Sequence, residues 1–596
     1  MKTSKNMNNQ QIAQLLKAVS AALLVKGENQ FRVQAYDRAA VAIEHATSEV
    51  KDLWDDGQLT SLPGVGASIA QHLDELFRTG RVKHFEEIFK GLPEAMFELI
   101  QIPGIGPKSA YKLCKALGIT KARNAIKKLE KAAKDGEVRK IEGFGEESER
   151  DILQNIAEFH RRENRMLLSF AENLAQKIAA YLKKEPAVLR VEPLGSLRRR
   201  CATIGDLDLA VATNQPEKVV DHFLRFPQVK QVLNKGSRKA SVVLFNGRQV
   251  DLRVQEEASF GALLQYFTGS KQHNIALRTL AQKRHLSLSE YGIKKVNGKE
   301  KLFRFKTEKA FYNFLGLDWI PPELREDTGE IEAAQKHQLP QLVTPEDIKG
   351  DLHIHSDFDV ETSHDLGQDG LEKILSVAAD LGYEYIAIAD HTPSTSQHTS
   401  QQIIDLLKRR REYYEQIIYS REKSENKRTI KVFISLEIDI LPDGRLAIPE
   451  KAFDYLDFAI VSVHSSFRLS RQKMTHRVLT ALAAHPKIKI LGHPTGRLLN
   501  EREGYELDWE ALFDLCQKKE KFLEVNAWPN RLDLPDTLVR EAVKNGVKLV
   551  INTDSHAADQ LRVMPYGVYT ARRGWAEKKD ILNTLSLAEL EKKLGV

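Results

Sequence analysis

The sequence predicts a multidomain protein in which α+β regions are followed by an α/β barrel, and three observations support that fold class. The chain has 596 residues, whereas one domain usually holds roughly 100 to 200. Its first part carries apolar residues at helical spacing, and its middle carries aspartates on strand-like runs. From residue 350 onward, strand-like runs that end in histidine or carboxylate residues alternate with helices, which is typical of a barrel with one functional face.

Composition limits the class of protein. The hydrophobic fraction of 42% is ordinary for a globular protein, and the net charge is +7. The basic excess crowds the first part of the chain and indicates a polyanionic partner: Arg78, Arg81, Lys83, Lys108, Lys112, Lys115, Lys121 and Arg123. Cys114, Cys201 and Cys516 have no paired spacing, so we expect no disulfides and a cytoplasmic location. No apolar run approaches about 18 residues, so neither a membrane span nor export is expected.

Near-copies of one turn motif lie in the helical region, at Leu62–Gly66, Ile102–Gly106 and, degenerate, Ile141–Gly145. Pro63 and Pro103 precede the first glycine of the first two copies. The glycines permit tight turns whose N–H groups face the next helix, a geometry that grips a phosphate backbone without reading bases. One copy is a common helix connector, but three resemble helix-hairpin-helix DNA-binding elements. The expected DNA contacts are Gly64, Gly66, Gly104, Gly106 and Lys108.

Three aspartates are expected to converge in the middle of the chain. Asp206 and Asp208 alternate with apolar residues on a strand, so both project from one face. Residues 242–254 form a hairpin signature around Asn246-Gly247, which returns Asp251 beside that pair. Such a cluster suits two divalent cations about 4 Å apart that clamp the attacking and leaving oxygens of a phosphoryl transfer. The alternative is an edge hairpin with solvated acids.

A phosphate-binding motif, G-S-x-R-R, precedes these aspartates. Gly195 allows close backbone approach to a phosphate, Ser196 can donate a hydrogen bond, and Arg199 offers a planar fork. A Y-F-T-G-S motif follows at 266–270. Tyr266 and Phe267 could equally be core aromatics, since aromatic side chains are mostly buried.

In this order, behind the helical turns, these motifs resemble DNA polymerase family X, the group that includes DNA polymerase beta. The resemblance covers residues 1 to about 320. It implies that Asp206, Asp208 and Asp251 hold two Mg²⁺ or Mn²⁺ ions and are catalytic. It further implies a sugar pocket at Tyr266, Phe267 and Gly269, a base contact from Asn274 and a template contact from Arg278. The whole nucleotide-binding set is Gly195, Ser196, Arg199, Gly205, Tyr266, Phe267, Gly269, Asn274 and Arg278.

Two positions depart from the family pattern. Arg200 stands where the family usually has a glycine after its arginine pair. His72 stands where members with 5′-deoxyribose-phosphate lyase activity have a Schiff-base lysine, and an imidazole cannot form that amine adduct. Lys51 and Lys83 are alternative nucleophiles.

The barrel is predicted from strands that end in metal-type residues, with His353-x-His355 on the first of them. Imidazole with carboxylate favours zinc, manganese or iron over calcium. These ends resemble a PHP domain, named for polymerases and histidinol phosphatase, whose barrels bind up to three metals and hydrolyse phosphoesters. The implied ligands of Mn²⁺ or Zn²⁺ are His353, His355, Asp365, Asp390, His391, Glu437, His464, His493, Asp554 and His556.

One PHP ligand is ambiguous because residues 357–364 interrupt the family's S-D-G motif. A capping box at Asp369 and Glu372 places the family aspartate on Asp365, with Asp359 as the rival. Arg497 either holds the phosphate being cleaved or pairs with an acid.

Family X polymerases joined to a PHP domain are typical of bacteria, so the resemblance implies a gap-filling DNA repair polymerase with a 3′-5′ exonuclease or phosphoesterase. Gapped or primer–template DNA and deoxynucleoside triphosphates are the expected partners of a monomer. Alternatives are a nucleotidyltransferase acting on RNA or a small molecule, and a DNA-binding scaffold with a silent palm.

The predicted domains are 1–90 (N-terminal helical DNA-binding domain), 91–155 (helix-hairpin-helix fingers), 156–262 (nucleotidyltransferase palm), 263–320 (thumb), 321–345 (linker, with a possible helix at 330–336) and 346–596 (PHP domain).

Overall fold

The computed structural model describes residues 7, 9–44, 50–55, 57–62, 64–102, 104–162, 165–296, 301–423 and 430–596. Pro63 and Pro103 of the predicted turns lie outside the described residues. The chain divides into two compact units. The first comprises Met1–Leu174, Leu244–Arg248 and Asn500–Arg502, and the second comprises Ala175–Val243, Gln249–Leu499 and Glu503–Val596. Among the described helices, none combines the length and the apolar character needed to cross a bilayer.

The first unit is helical, as the apolar spacing predicts. In chain order its elements are α1 Asn9–Lys26, α2 Gln30–Glu44, α3 Val50–Asp55, α4 Ala67–Thr79, α5 Lys83–Phe89, α6 Glu94–Leu99, α7 Pro107–Ala116, α8 Ala125–Lys134, α9 Glu146–Arg162 and the short strand β1 Met166–Leu167. Helix α10, Leu168–Leu182, crosses the division between the units. One apolar core joins helices α1 to α9, with Leu16, Leu73 and Leu113 fully buried in it.

The three turn motifs share one backbone geometry. Their first glycines, Gly64, Gly104 and Gly143, have φ of 76°, 81° and 83°, a region that favours glycine. Gly66 and Gly106 are the N-caps of α4 and α7. Residues of the first two turns expected to contact DNA are exposed: Gly64, Gly66, Gly104, Gly106 and Lys108. The degenerate third copy therefore forms the same turn, immediately before α9.

A five-stranded sheet forms the middle of the chain, in the order β2-β4-β7-β6-β5. Its region contains β2 Arg190–Pro193, α11 Gly195–Arg198, β3 Thr203–Ile204, β4 Leu207–Ala212, α12 Pro216–Leu224, β5 Val229–Lys235, β6 Lys239–Leu244, β7 Gln249–Gln255 and α13 Phe260–Thr268. The predicted hairpin is confirmed, because β6 and β7 pair antiparallel. Ala210 of β4 and Phe260 of α13 belong to one buried cluster, so α13 covers a face of this sheet.

The next region adds α14 Lys271–Gln282, the antiparallel strands β8 Leu286–Ser289, β9 Gly292–Lys295 and β10 Leu302–Phe303, and the helices α15 Glu308–Phe314 and α16 Glu330–Gln335. Helix α16 confirms the short helix that was possible in the polar segment after residue 320. That segment is packed rather than solvated, because Ile331 and Ala334 join the core that contains Leu277 and Phe311. Buried Arg325 contributes a 2.7 Å ion pair to Glu308.

The C-terminal region contains two parallel sheets, β11-β12-β13 and β14-β15-β16-β17-β18. The strands are β11 Gly350–Ile354, β12 Tyr385–Ile388, β13 Lys431–Ile434, β14 Glu437–Asp439, β15 Ala459–Ser462, β16 Ile488–Leu491, β17 Phe522–Asn526 and β18 Leu549–Asn552. The helices are α17 Leu371–Asp380, α18 Ser400–Glu422, α19 Arg471–Ala483, α20 Trp509–Lys519, α21 Asp536–Lys544, α22 Met564–Arg573 and α23 Leu587–Leu594.

The two sheets are joined into a ring. Ile354 bridges to Ser555 just beyond β18, and His391 just beyond β12 bridges to Glu437 at the start of β14. Because β13 and β14 follow one another with two residues between them, they share one position. The eight described strands therefore fill seven positions of an α/β barrel, which brings the carboxyl ends of its strands to one face.

Candidate active sites

The carboxylates of the five-stranded sheet lie on neighbouring strands. Asp208 on β4 is paired in parallel register with Asp251 on β7, while Asp206 precedes β4 and is exposed. Burial, followed by the negative charges of Asp251 and Asp206, raises the pKa of Asp208 to about 6. Mutual repulsion of this kind is relieved by divalent cations, which carboxylate oxygens bind well. The residues present thus fit the predicted metal pair.

Gly195 lies against this cluster. Its φ is 55°, and a Cβ atom there would stand 2.9 Å from Oδ2 of Asp208. Both the backbone conformation and the space require glycine.

We expect Gly195→Ala to lower primer extension at least tenfold, because the methyl group would displace Asp208 and the φ would be strained, each costing about 1 to 3 kcal/mol. Single-turnover extension with purified protein measures the effect. Gly247→Ala, also at positive φ but with open space around its Cβ, is the control for backbone strain alone. Equal losses in both variants would contradict the proximity of Gly195 to the site.

The two arginines of the G-S-x-R-R motif have different surroundings. Arg198 makes a forked ion pair with Glu308, at 2.6 and 2.8 Å, so it holds α11 to α15. Arg199 donates from Nε to Glu326 at 2.9 Å and from Nη1 to the carbonyl of Thr268 at 2.5 Å. Arg200 has φ 57°, a backbone conformation that glycine adopts most readily. This explains why the resembled family usually has a glycine at this position.

The Y-F-T-G-S motif ends α13 beside Arg199. A Cβ on Gly269 would stand 3.2 Å from Nη1 of Arg199. Phe267 lies under the guanidinium of Arg253 at 3.8 Å, and Asn274 donates to the carbonyl of Tyr266 at 2.7 Å. The remaining members of the predicted nucleotide set are half-buried Ser196 and Gly205 on the sheet side and exposed Arg278 on α14.

His72 of the helical unit lies among aromatic rings. Its Nδ1 is 3.1 Å from the hydroxyl of Tyr36, and its ring stacks on His84 with centroids 5.0 Å apart. Burial lowers the pKa of His72, which keeps the imidazole neutral. The side chain at the position of the expected nucleophile is therefore an imidazole and not an amine.

We therefore expect little or no lyase activity through a Schiff base. Borohydride trapping on an incised abasic duplex measures the covalent adduct directly. His72→Lys should increase trapping if the position is right. Strong trapping by the wild type, lost in Lys51→Ala or Lys83→Ala, would instead identify another nucleophile.

The barrel gathers histidine and carboxylate side chains into four overlapping groups whose potential ligand atoms lie within 4.8 Å of one another. The groups are His353/His355/Glu437, Glu437/His464/His493, His355/His391/His556 and His364/His391/His464. Asp554 is adjacent, with Oδ1 3.2 Å from Nε2 of His355. All six histidine ligands predicted from the strand ends occur in these groups, namely His353, His355, His391, His464, His493 and His556.

Several nitrogen atoms in this cluster are buried and have no hydrogen-bond partner among the described residues, including Nε2 of His353 and Nε2 of His556. Nδ1 of His353 instead donates to Glu524 at 2.8 Å, and Nδ1 of His464 lies 2.5 Å from Asp439. A carboxylate that orients one ring nitrogen and leaves the other available is the usual arrangement of a metal-binding histidine. The cluster therefore fits metal ions.

Electrostatics agree with this fit. Burial alone would raise the pKa of Glu437, but the charges of His464, His353 and His391 hold it well below its usual range. Glu437 is consequently a carboxylate surrounded by imidazoles. It belongs to two of the groups and joins them.

Asp390 has other partners. Its Oδ2 accepts from Arg410 at 2.7 Å and from Tyr414 at 2.8 Å, and its Oδ1 accepts from the Ser356 amide at 2.6 Å. Both oxygens accept hydrogen bonds, through which Asp390 holds the segment after β11; its ligand role stays a prediction.

The loop between β11 and α17 contributes a histidine that the motif analysis missed. His364 belongs to one of the four groups and contacts Asp439 at 2.8 Å. Asp359 accepts from the amide of Glu361 within an exposed turn. Desolvation raises the pKa of Asp365, but the charges of His556 and His391 outweigh this effect, so the pKa is lowered. Asp365 is nevertheless an exposed residue.

The predicted capping box at Asp369 and Glu372 is wrong. Helix α17 begins at Leu371 and has Gly370 as its N-cap. Asp369 accepts instead from the amide of Ala558 at 2.8 Å, so a contact between distant segments replaces the local cap. The choice between Asp365 and Asp359 stays a prediction without that support.

Arg497 is occupied by main-chain carbonyl groups, those of Arg531 at 2.9 Å and Leu532. It supports the loop after β17. That loop carries Arg531, whose Nε lies 3.5 Å from Asp554 at the metal-type cluster. Of the two arginines, Arg531 is therefore better placed to meet a phosphate.

A polymerase-type palm with paired carboxylates and a barrel with a histidine-rich metal site define a two-centre class of enzyme. Family models match four stretches: a helix-hairpin-helix domain at 7–82, a SAM-like helix-hairpin-helix tandem at 96–158, the DNA polymerase beta thumb at 263–326 and the PHP domain at 351–527. The polymerase and PHP families are metal-dependent.

Named relatives extend the match to the whole chain. The sequence is 35% identical to the DNA polymerase/3'-5' exonuclease PolX of Bacillus subtilis (strain 168), over 98% of this chain and 99% of that protein. It is 25% identical to DNA polymerase lambda of Arabidopsis thaliana, over 50% of this chain and 58% of that protein. A protein of Caldicellulosiruptor saccharolyticus named "Probable phosphatase" is 28% identical, over 26% of this chain and 58% of that protein. The chain belongs to the PolX family of bacterial family X DNA polymerases with a PHP domain.

Proposed function

We propose that this protein fills gaps in DNA by adding nucleotides at the palm and removes nucleotides from 3′ ends at the barrel. The observation that carries the proposal is the presence of two separate acidic sites in one compact unit, one built on Asp208 and Asp251 and the other on Glu437 with its histidines. The palm would use Mg²⁺ or Mn²⁺, and the barrel Mn²⁺ or Zn²⁺.

At the palm, Asp206, Asp208 and Asp251 hold the cations, and Gly195 leaves room for a phosphate next to Asp208. The positive charge of Arg199 acts on Asp208 and opposes the burial and the nearby aspartates that raise the pKa of that carboxyl group. Its guanidinium is thus placed to bind the triphosphate. Tyr266, Phe267 and Gly269 would contact the sugar, Asn274 the base, and Arg278 the template.

At the barrel, the four groups hold the ions, Glu524 and Asp439 orient His353 and His464, and Arg531 meets the phosphate. The bound cations would supply an acidified water molecule and neutralise phosphate charge. The helical turns grip the DNA backbone through Gly64, Gly66, Gly104, Gly106 and Lys108. A monomeric state, a cytoplasmic location and the domain boundaries given above belong to this proposal.

Two labelled duplexes test the proposal. A gapped duplex with deoxynucleoside triphosphates should show primer extension up to the downstream strand. Without triphosphates and in manganese, a 5′-labelled strand should shorten through a ladder of products, whereas a 3′-labelled strand should release its label at once. Extension of an RNA primer–template but not of gapped DNA would favour the alternative RNA substrate, and absence of extension would favour a silent palm.

A further inference from the structure

Helix α22 of the barrel contacts the palm at the triphosphate-binding motif. Arg573, the last residue of α22, donates from Nη1 to the main-chain carbonyl of Arg199 at 2.8 Å and to Glu326 at 3.0 Å. Its Nε donates to Asp536 at 2.8 Å. The Arg573 side chain is only 10% exposed, so these contacts occupy a buried position.

We propose that Arg573 is a positioning residue for nucleotide addition, through which the barrel sets the charge balance around Arg199 and the orientation of its backbone. This inference rests on the proposed role of Arg199 in binding the triphosphate.

The charge balance around Arg199 supports the proposal. Oε1 of Glu326 accepts from both Arg199, at 2.9 Å, and Arg573, at 3.0 Å. Arg573 also pairs with Asp536, so Glu326 is the carboxylate that the two guanidinium groups share. Without Arg573, Glu326 would pair with Arg199 alone and would neutralise the charge that Arg199 must offer to a triphosphate. Arg573 therefore leaves Arg199 electrostatically available.

The backbone contact supports it independently. The Arg573 bond fixes the Arg199 carbonyl next to Arg200, which has φ 57° and lacks the freedom of glycine. The guanidinium of Arg200 lies 4.3 Å over the ring of Tyr569, also on α22, a cation–π arrangement that offsets strain. Two consecutive residues of the palm motif are thus anchored to one helix of the barrel.

The neighbouring arginine offers a matched control. Arg572 donates to Glu323 at 2.8 Å and to the carbonyl of Val343 at 2.9 Å. It lies on the same helix, and these hydrogen bonds go to Glu323 and Val343 rather than to Arg199. Removing Arg572 therefore tests the general loss of an arginine at this interface.

The experiment measures kcat and KM for a deoxynucleoside triphosphate in gapped-duplex extension by full-length Arg573→Ala, Arg573→Lys, Arg572→Ala and Arg199→Ala. We expect Arg573→Ala to raise KM roughly tenfold, the effect of losing one charge-assisted contact, with kcat changed less than about threefold. Arg573→Lys should give a smaller rise because it keeps the charge without the fork. Arg572→Ala should match the wild type, and DNA degradation by the barrel should persist throughout.

The double variant Arg573→Ala/Glu326→Gln separates charge balance from fold support. The double variant should bring KM most of the way back to the wild-type value, because without the Glu326 carboxylate no second arginine is needed to neutralise it. An unchanged KM in Arg573→Ala, together with a raised KM in Arg199→Ala, would overturn the role of Arg573 and leave the proposed role of Arg199 intact. Equal losses of kcat and degradation without rescue by Glu326→Gln would also overturn it. An unchanged KM in Arg199→Ala would show instead that the proposed role of Arg199 is at fault.

Discussion

Asp208→Ala is expected to lower primer extension roughly a hundred-fold or more, because one preorganised electrostatic group commonly contributes about 2.7 to 4 kcal/mol to lowering the barrier. Asp208 is central to the cluster. It is in register with Asp251, and both Asp251 and Asp206 act on its pKa. Steady-state extension of a gapped duplex measures the loss.

Asp221→Ala is the matched control for Asp208→Ala. Asp221 lies on α12 of the same region and pairs with Lys235 at 2.7 Å on the surface. It should leave extension unchanged, and both variants should bind DNA like the wild type because the helical turns carry that contact. Near-normal extension by Asp208→Ala would reject this stretch as the site of nucleotide addition.

Glu437→Gln is expected to abolish DNA degradation, with a fall of about a hundred-fold or more. Changes even to residues that only support metal ligands commonly cost about 10 to 100-fold, and Glu437 belongs to two of the four ligand groups. Glutamine preserves the size of the side chain but removes the charge that faces His464, His353 and His391. Release of a 3′ label in manganese, and the manganese content of the purified protein, measure the change.

Asp443→Asn provides the comparison within the barrel. Asp443 is an exposed carboxylate paired with Arg445 at 2.7 Å. It should degrade DNA at the wild-type rate and retain the same metal. DNA degradation at the wild-type rate by Glu437→Gln would mean that the barrel is a binding or structural module and does not hydrolyse DNA.

Much of the architecture follows from short-range patterns. The Asn246-Gly247 turn fixes the register of β6 against β7, and the alternation at residues 207–211 fixes the face of β4 on which Asp208 lies. The parallel pairing of β4 with β7, which places Asp251 beside Asp208, joins more distant segments. The clustering of the histidines at strand ends can also be predicted, because parallel strands of a barrel bring their carboxyl ends to one face. Positive φ at Gly64, Gly104 and Gly143 likewise agrees with the repeated turn.

The parts that sequence reasoning missed depend on contacts between distant segments. Oδ2 of Asp390 accepts from Arg410 of α18 and Oδ1 accepts from the amide of Ser356, contacts that the strand-end pattern does not predict. The ligand role of Asp390 stays a prediction. His364 lies in an insertion without a motif, and only its residue type pointed to metal binding. Arg573 and Arg199 are 374 positions apart, so no local spacing could have paired them.

The most direct measurement of two separate centres follows one 5′-labelled primer on a gapped duplex, with and without triphosphates, in wild type, Asp208→Ala and Glu437→Gln. The wild type should lengthen the primer when triphosphates are present and shorten it when they are absent. Asp208→Ala should only shorten it, and Glu437→Gln should only lengthen it. Loss of both activities in either variant, or retention of both, would contradict the assignment of polymerisation to the palm and degradation to the barrel.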